Sequence, residues 1–207
     1  MPAASSIRAT IIDVQRDTPR AADSFLIDTQ AWYWLSYTRA SSNARPYQTQ
    51  AYPTYMRDAK IAGATLYWSG LSLAELAHLI EKDERDVYNA SLSPPGNWGT
   101  KAYRHFASGQ RLHVVSEITA AWGIVQNFAG PLEHAINAVS TSDALQLLHH
   151  AGLDGYDLFL VGAMRDHGID QILTDDGDYA TVPGITVFTA NRTVLQDAYN
   201  QRKLVTR

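Results

Sequence analysis

Residues 152–179, GLDGYDLFLVGAMRDHGIDQILTDDGDY, decide the fold that we expect for this chain of 207 residues. The segment contains a helical stretch that ends at Gly168, a residue typical of helix C-termini. A short apolar strand from Ile169 to Thr174 follows and runs directly into a group of carboxylates. The sequence therefore predicts a helix followed by a buried strand, with acidic side chains at the point where the strand ends.

The same alternation extends through the rest of the chain. Ser24 to Asp28 (SFLID) and Ala64 to Ser69 (ATLYWS) have the composition of buried strands. After Gly70, the segment LSLAELAHLIEKDE has apolar residues at helical spacing. Further short strands are predicted at 112–116, 135–139 and 184–189. Strands that alternate with helices predict an α/β fold with a mainly parallel sheet.

The domain organisation is predicted from composition along the chain. Residues 1–22 are polar, and we interpret them as an N-terminal extension that is partly ordered at best. Residues 23–207 are expected to form one domain with insertions at about 36–60 and 85–135. The apolar period fails in the first insertion, which is predicted to be a long loop or a short helical excursion around YPTYMRDAKIAG.

Composition excludes several classes of protein. A hydrophobic content of 45% with 18% charged residues is typical of a folded soluble domain. The absence of cysteine excludes disulfides, thiolate zinc sites and cysteine nucleophiles. No signal-peptide core or membrane span is recognisable, so we expect a cytoplasmic protein without membrane contact. The net charge of −4 argues against broad attraction to nucleic acid, and any such contact must be local.

Acidic residues at four places carry the functional signal. Asp28 ends the strand SFLID, Glu75 lies near the start of a helix, and Asp157 lies in GLDGYDLFL. The cluster in ILTDDGDYA supplies Asp175, Asp176 and Asp178. In an α/β fold these places converge at the carboxyl edge of the parallel sheet. Carboxylates gathered there repel one another unless a cation neutralises them, which favours Mg²⁺ or Mn²⁺ chemistry on a phosphate ester.

Each acidic position also has a purely structural interpretation. Asp28 could cap the following helix, and Ser72 with Glu75 has the spacing of a capping box. Asp157 could interact with a helix dipole, and Asp176-Gly177 is a common hairpin turn. Taken singly, these signals are weak. Their combination at one sheet edge is what favours a functional site.

The four acidic segments together resemble the PIN-domain ribonucleases, a family that includes toxins of bacterial and archaeal toxin–antitoxin pairs. The matching segments are FLIDT around Asp28, SLAEL around Glu75, GLDGYDLFLVGAM around Asp157, and ILTDDGDY, which begins at Ile172. The resemblance extends from Ser24 onward and is most specific from Ala144 to Asn191. It implies a PIN-like three-layer α/β/α fold with helical insertions. Compact members of the family are shorter than this chain.

The resemblance also implies roles for individual residues. The expected activity is metal-dependent endoribonuclease cleavage of RNA phosphodiester bonds, with Mg²⁺ or Mn²⁺ as cofactor. The implied metal ligands are Asp28, Glu75, Asp157 and Asp176, with Asp178 as an auxiliary ligand. Thr174 would orient a carboxylate or a water. An antitoxin protein and a second copy of the chain are possible partners under this resemblance.

Substrate contacts are expected outside the acidic site. The first candidates are the basic residues Arg39, Arg45, Arg57 and Lys60, which alternate with Tyr37, Tyr47, Tyr52 and Tyr55. Cationic side chains can pair with phosphates, and aromatic rings can stack on bases. A second candidate set is Lys101, Arg104 and Arg111. The alternative is a solvated loop whose aromatic residues close a local core.

A binding protein is the competing class of function. A PIN-like fold can persist as a scaffold that docks RNA or a protein partner. The large aromatic residues Trp32, Trp34, Trp68 and Trp98 could line a partner or dimer interface, although core packing explains them as well. An intact set of clustered carboxylates disfavours an inactive scaffold, because like charges held together cost stability without a metal.

Overall fold

A computed structural model describes residues 6–42 and 44–207, which form seven strands and eight α-helices. The strands are β1 Thr10–Asp13, β2 Ser24–Ile27, β3 Thr65–Ser69, β4 Gly130–Leu132, β5 Gln171–Leu173, β6 Thr186–Thr189 and β7 Leu204–Val205. The helices are α1 Thr29–Ser36, α2 Pro46–Ala62, α3 Gly70–Ser91, α4 Thr100–Phe106, α5 Ser108–Phe128, α6 Ala138–Leu148, α7 Asp157–Asp166 and α8 Arg192–Asn200. Short 3₁₀ helices cover Ala40–Ser42 and Asp178–Thr181.

One sheet organises the chain, with strand order β4-β3-β2-β5-β6-β1-β7. Every strand pair in this sheet is parallel, so the prediction of a mainly parallel sheet is confirmed. The chain moves outward from β2 to β3 and β4, and then returns to place β5 on the other side of β2. The strand order therefore reverses between β2 and β5, and in open α/β sheets a crevice forms at the carboxyl end of such a point.

Helices cover both faces of the sheet, which gives three layers. Because side chains alternate along β2, Leu26 faces one core while Phe25 and Ile27 face the other. The core on the Leu26 side is closed by α6, α7 and α8. The opposite core is closed by α1, α2, α3 and α5, and Tyr103 of α4 belongs to a small third cluster. The α/β/α architecture agrees with the expectation from sequence.

The interpretation of residues 1–22 as an extension is wrong for the part that the structure describes. Thr10–Asp13 forms β1, which lies inside the sheet between β6 and β7. Ile11 is fully buried and Ile12 nearly so, and the two face opposite cores. The apolar patch of this segment is flanked by polar residues, which gives a weak sequence signal, and burial between two neighbouring strands stabilises it. Residues 1–5 lie outside the described range.

Two predicted strands are helical or irregular in the structure. Residues 112–116 belong to α5, where the flanking sequence continues a helix of 21 residues. Residues 135–139 form a loop that enters α6, and the strand of this region is β4 at Gly130–Leu132. The insertion at 36–60 is mostly the 17-residue helix α2, with Pro46 at its first turn and Gly63 in the left-handed conformation at its end. Neither a long loop nor a short helical excursion describes this segment.

Other local predictions agree with the structure. The helix before the acidic turn is α7, and Gly168 follows its end with a φ of 65°. Trp32 and Trp34 are buried, while Trp68 packs on Trp122 and Trp98 on Tyr88, so these indole rings serve the cores. Among the described residues, no helix has the length and apolar character needed to cross a membrane.

Arg207 ties the end of the described chain to the domain. Its guanidinium donates to the carboxylates of Asp17 and Asp23 at 2.5–3.0 Å, and it lies 4.6 Å from the centre of the Phe188 ring. Both carboxylates are buried, and the Arg207 side chain is only 16% exposed. The Asp23 backbone also accepts a hydrogen bond from Thr65, which follows α2. The ion cluster thus connects β7, β2 and the segment after β1.

We predict that Arg207→Ala lowers the free energy of unfolding by roughly 3 kcal/mol, because two buried carboxylates lose their counter-charge. Arg207→Lys keeps the positive charge but loses the planar set of N–H donors that reaches both carboxylates. We therefore expect it to lower the free energy of unfolding by less than Arg207→Ala does. Urea denaturation followed by circular dichroism measures both. Equal stability of the wild type and the Ala variant would contradict the prediction.

Candidate active site

Strand register brings the first two site residues together. β2 pairs with β5 so that Ile27 lies opposite Leu173, which makes Asp28 and Thr174 the next neighbours at the carboxyl edge. Thr174 is fully buried, and its hydroxyl donates to Asp28 Oδ2 at 2.6 Å. Asp28 stands at the N-cap position of α1, but its side chain makes no capping hydrogen bond. The interpretation of Asp28 as a helix cap is therefore wrong.

Glu75 reaches the same edge from α3. Its carboxylate accepts a hydrogen bond from the Thr29 hydroxyl at 2.5 Å, directly after Asp28 in the chain. The predicted capping box is wrong, because α3 begins at Gly70 and the cap is Ser69, whose hydroxyl accepts from the backbone N–H of Leu71. Ser72 is instead buried, and its hydroxyl has no hydrogen-bond partner among the described residues. Glu75 is thus free of a capping role and faces the site.

Asp157 enters from the opposite helical layer. It is the first residue of α7, where the helix N-terminus favours a negative charge. Its Oδ1 accepts a hydrogen bond from the hydroxyl of Tyr179 at 2.7 Å, and Tyr179 is fully buried. Tyr179 comes from the 3₁₀ helix that follows the acidic turn, so the turn and α7 are held together at the site.

The acidic turn itself is a folded loop between parallel strands. Thr174 Oγ1 accepts from the backbone N–H of Asp176 at 2.9 Å, and Asp176 Oδ1 accepts from the N–H of Asp178 at 2.8 Å. The hairpin interpretation of Asp176-Gly177 is wrong, because β5 and β6 run parallel and the 3₁₀ helix lies between them. Thr174 therefore positions two acids. Its hydroxyl group donates to the carboxylate of Asp28 and accepts from the backbone N–H of Asp176.

The three acids of the turn have different environments. Asp176 lines the cleft that also contains Asp28. Asp175 is buried on the far side, where it accepts hydrogen bonds from Tyr47, Gln48 and Tyr52. Asp178 is exposed and does not line the cleft. Within the cluster, only Asp176 is placed to act with the other site acids.

These side chains enclose one open cleft of about 550 Å³. Its lining is Asp28, Thr29, Gln30, Ala74, Glu75, His78, Leu79, Asp154, Tyr156, Asp157 and Asp176. Five of these residues are acidic, and none is lysine or arginine. The structure therefore brings the four predicted carboxylates into one cavity and adds a fifth, Asp154.

Burial and mutual repulsion shift the protonation of the site. Burial raises the pKa of Asp28 to about 8; the Thr174 hydrogen bond lowers it, and the carboxylates of Asp157 and Glu75 raise it further. Burial likewise raises the pKa of Asp157 to about 7, with the Tyr179 hydrogen bond opposing the shift. The pKa of Glu75 is also raised, mainly by burial. At neutral pH the cleft without a cation therefore retains protons that solvent-exposed carboxyl groups would lose.

The donor chemistry of the cleft fits a hard divalent cation. All the acidic donors are oxygens, the ligands that Mg²⁺ and Mn²⁺ prefer, and the lining provides no fixed positive side chain to balance them. As the side chains stand, no group of three or more acidic or histidine residues in the described ranges is arranged to hold a metal ion. The residues that would hold a cation are Asp28, Glu75, Asp157 and Asp176, which line the same cleft.

The predicted substrate-binding residues lie elsewhere. Arg39 pairs with Glu84 at 2.8 Å, and Lys60 donates to the carbonyl groups of Asn127 and Phe128 at the end of α5. From Gln48, which contacts Asp175, to Lys60, α2 rises by about 18 Å. Arg57 lies on that distant half of α2, and Arg45 lies at its first turn beside Tyr47. None of these four basic residues lines the cleft.

The tyrosines of the first insertion belong to the protein interior. Tyr37, Tyr52 and Tyr55 are buried in the core under α1 and α2, and Tyr47 packs against it. Their hydroxyl groups donate to buried acids, as Tyr37 does to Glu84 and Tyr52 to Asp175. The interpretation of these aromatic residues as a local core, rather than as stacking platforms, agrees with their burial.

Three residues of the site were not predicted from sequence. Thr29, Tyr179 and Asp154 donate hydrogen bonds to site acids or line the cleft. Thr29 and Asp154 are close to predicted site residues in the chain, and that proximity was the available signal. Tyr179 follows the acidic turn, but the role of its hydroxyl depends on where α7 packs.

The raised pKa values predict how stability depends on pH. The folded protein without metal holds protons on Asp28 and Asp157 above pH 4, whereas the unfolded chain releases them near its usual carboxyl pKa of 3.8. The free energy of unfolding should therefore fall as pH rises from about 4 to 8, the interval between the unfolded and folded pKa values, by on the order of a few kcal/mol. Asp28→Asn keeps an acceptor for Thr174 without the charge, so it should flatten this decline and stabilise the protein at pH 9. Urea denaturation in EDTA measures both, and identical pH slopes would contradict the prediction.

The chain was compared with protein-family models, with curated proteins and with solved structures. No family model, no curated protein and no solved structure matches it. These comparisons assign the chain to no family.

Proposed function

We propose that this protein is a PIN-like, metal-dependent endoribonuclease that hydrolyses RNA phosphodiester bonds with Mg²⁺ or Mn²⁺. The observation that carries the proposal is the convergence of Asp28, Glu75, Asp157 and Asp176 in one cleft at the carboxyl edge of the sheet. Buried acids without counter-charge are costly, and functional sites are where such groups are retained. A divalent cation is the partner that their chemistry favours.

The site acids and the hydroxyl groups that hold them have distinct tasks in this proposal. A bound divalent cation supplies positive charge beside the phosphate and makes a water more acidic. Asp28, Glu75, Asp157 and Asp176 hold it, and each must lose any proton it carries before it binds. Thr29, Thr174 and Tyr179 fix the orientation of three of these acids through their hydroxyl groups. His78 lines the cleft one helical turn after Glu75 and can contact the phosphate.

The proposed substrate is a polymeric nucleic acid, because an exposed ring borders the site acids. The cleft is open to solvent and has a volume of about 550 Å³. Tyr156 lines it with its side chain 45% exposed, which leaves a ring available to a base. The toxin role, the antitoxin partner and the homodimer remain predictions from the resemblance alone.

One observation favours the second candidate function, an inactive scaffold that binds RNA or protein. No group of three acidic or histidine side chains in the described part of the chain is arranged to hold an ion directly. The nuclease requires the site acids to bind a cation, whereas the scaffold does not. Metal binding therefore separates the two functions.

We predict that Mn²⁺ or Mg²⁺ stabilises the wild-type protein and supports cleavage of a structured RNA, and that EDTA abolishes both. Asp28→Asn should reduce the cleavage rate by at least about 100-fold, since even outer-shell partners of metal ligands cost 10- to 100-fold. Thermal melting with and without metal shows binding, and gel analysis of labelled RNA shows cleavage. A metal-loaded, folded wild type that cuts none of several RNAs would favour the scaffold.

The acidic turn provides matched variants for this experiment. We predict that Asp176→Asn abolishes cleavage, whereas Asp178→Asn changes the rate by less than about threefold because Asp178 is exposed and outside the cleft lining. Asp175→Asn should lower stability rather than the rate of the folded enzyme, because Tyr47, Gln48 and Tyr52 hold that carboxylate. Loss of activity in Asp178→Asn at unchanged stability would return Asp178 to the ligand set.

A further inference from the structure

A second groove adjoins the acidic cleft along α3. It has a volume of about 280 Å³, and its walls include Ala74, His78, Glu81, Arg104 and Arg111. Ala74 and His78 also line the acidic cleft, so the two cavities share a boundary. A substrate could pass from one cavity to the other without leaving the protein surface.

Helix geometry explains why the two cavities are continuous. Glu75, His78 and Glu81 are spaced by three residues, so each is a neighbour of the next on the surface of α3, and the row winds by about 120° around the helix. From Glu75 to Glu81 the helix rises by about 9 Å. The small side chain of Ala74 belongs to the lining of both cavities and leaves space there. The row formed by Glu75, His78 and Glu81 therefore begins among the site acids and ends beside Arg104 and Arg111.

The second groove carries positive charge, in contrast to the first. Arg104 donates to Glu81 through Nε at 2.8 Å and also through Nη2. Arg111 Nη1 lies 3.6 Å from the same carboxylate. One carboxylate cannot neutralise two guanidinium groups, so a positive charge remains. The side chains of Arg104 and Arg111 are 42% and 45% exposed, and each retains free N–H donors.

The proposed nuclease needs such a surface. A cleft lined by acids repels the phosphates of a nucleic acid, and the whole protein carries a net charge of −4. Attraction must therefore come from a local basic site close to the cleft. Arginine is suited to this task because its planar fork binds two phosphate oxygens and remains charged.

We propose that the groove between α3, α4 and α5 binds the RNA backbone next to the acidic cleft, with Arg104 and Arg111 as the phosphate-binding residues. This inference rests on the proposed ribonuclease function for its choice of substrate. Glu81 accepts hydrogen bonds from Arg104 and lies 3.6 Å from Arg111, so it occupies part of the donor capacity that a phosphate would use. Lys101 lies on the exposed surface of α4 and does not line the groove.

The test measures binding of a fluorescently labelled single-stranded RNA in EDTA, by anisotropy at several salt concentrations. Arg104→Ala with Arg111→Ala should weaken binding at least about tenfold at low salt. Loss of two phosphate contacts should also reduce the slope of log affinity against log salt by about 1.4. Arg16→Ala, which removes one positive charge from a side chain 82% exposed outside the groove lining, should change neither value by much.

Glu81→Gln distinguishes a binding role from a merely structural one. It releases both arginines and adds positive charge, so RNA should bind as tightly as to the wild type or more tightly. If the cluster only ties α4 and α5 to α3, then Glu81→Gln and the double arginine variant should both lose stability in urea while the salt slope stays unchanged. That result, or an absence of RNA binding by the wild type, would overturn the inference.

A small substrate separates this inference from the proposed function. Hydrolysis of bis(p-nitrophenyl) phosphate with Mn²⁺ needs the acidic cleft but not the groove. The double arginine variant should retain the wild-type rate on this ester while its KM for RNA rises at least about tenfold. Equal losses on both substrates would overturn the groove as a binding site. Absence of ester and RNA hydrolysis by the wild type would count against the nuclease, whereas the RNA-binding measurement would still decide the groove.

Discussion

Four carboxylates share one cleft at the carboxyl edge of the sheet, and the rest of the structure must hold these like charges close together. Asp28, Glu75, Asp157 and Asp176 meet where the strand order reverses between β2 and β5. Burial of such groups without counter-charge costs free energy, which the raised pKa values of Asp28 and Asp157 express. The large apolar cores on both faces of the sheet must supply that energy. A cation that binds the folded state would offset it through linkage.

Hydroxyl groups are the local solution to this constraint. Thr174, Thr29 and Tyr179 each donate one hydrogen bond to a different acid, so three of the four carboxylates are held without a positive side chain. A hydroxyl donor stabilises the ionised form less than an arginine would. The acids therefore remain available to a cation instead of being consumed in ion pairs. Elsewhere in the fold, buried carboxylates are paired with a positive side chain, as Asp17 and Asp23 are with Arg207.

Helix α3 connects the two kinds of electrostatic environment. Its N-terminal half carries Glu75 into the cleft, whereas Glu81 and Glu84 in its middle are buried against arginines from other segments. Tyr33 of α1 and Tyr37, which follows that helix, donate hydrogen bonds to Asp83 and Glu84, respectively. The charged run EKDERD thus serves as an interface for α1 and α5 on one side, and it borders the proposed RNA groove on the other.

The sequence alone determined the class of fold and pointed to four of the five acids that line the cleft. Apolar strands that end in carboxylates, such as SFLID and ILTDD, predict both a parallel sheet and the edge at which Asp28 and Asp176 meet. The sequence carries this information because the residue pattern of a strand and the order of strands and helices are local features of the chain. Tertiary structure decided β1, because the short apolar patch around Ile11 and Ile12 becomes a strand only between its neighbours β6 and β7. It also decided which turn acid faces the cleft and which arginines stand near it. Those outcomes depend on how α2, α4 and α5 pack, and packing between distant segments leaves no local pattern in the chain.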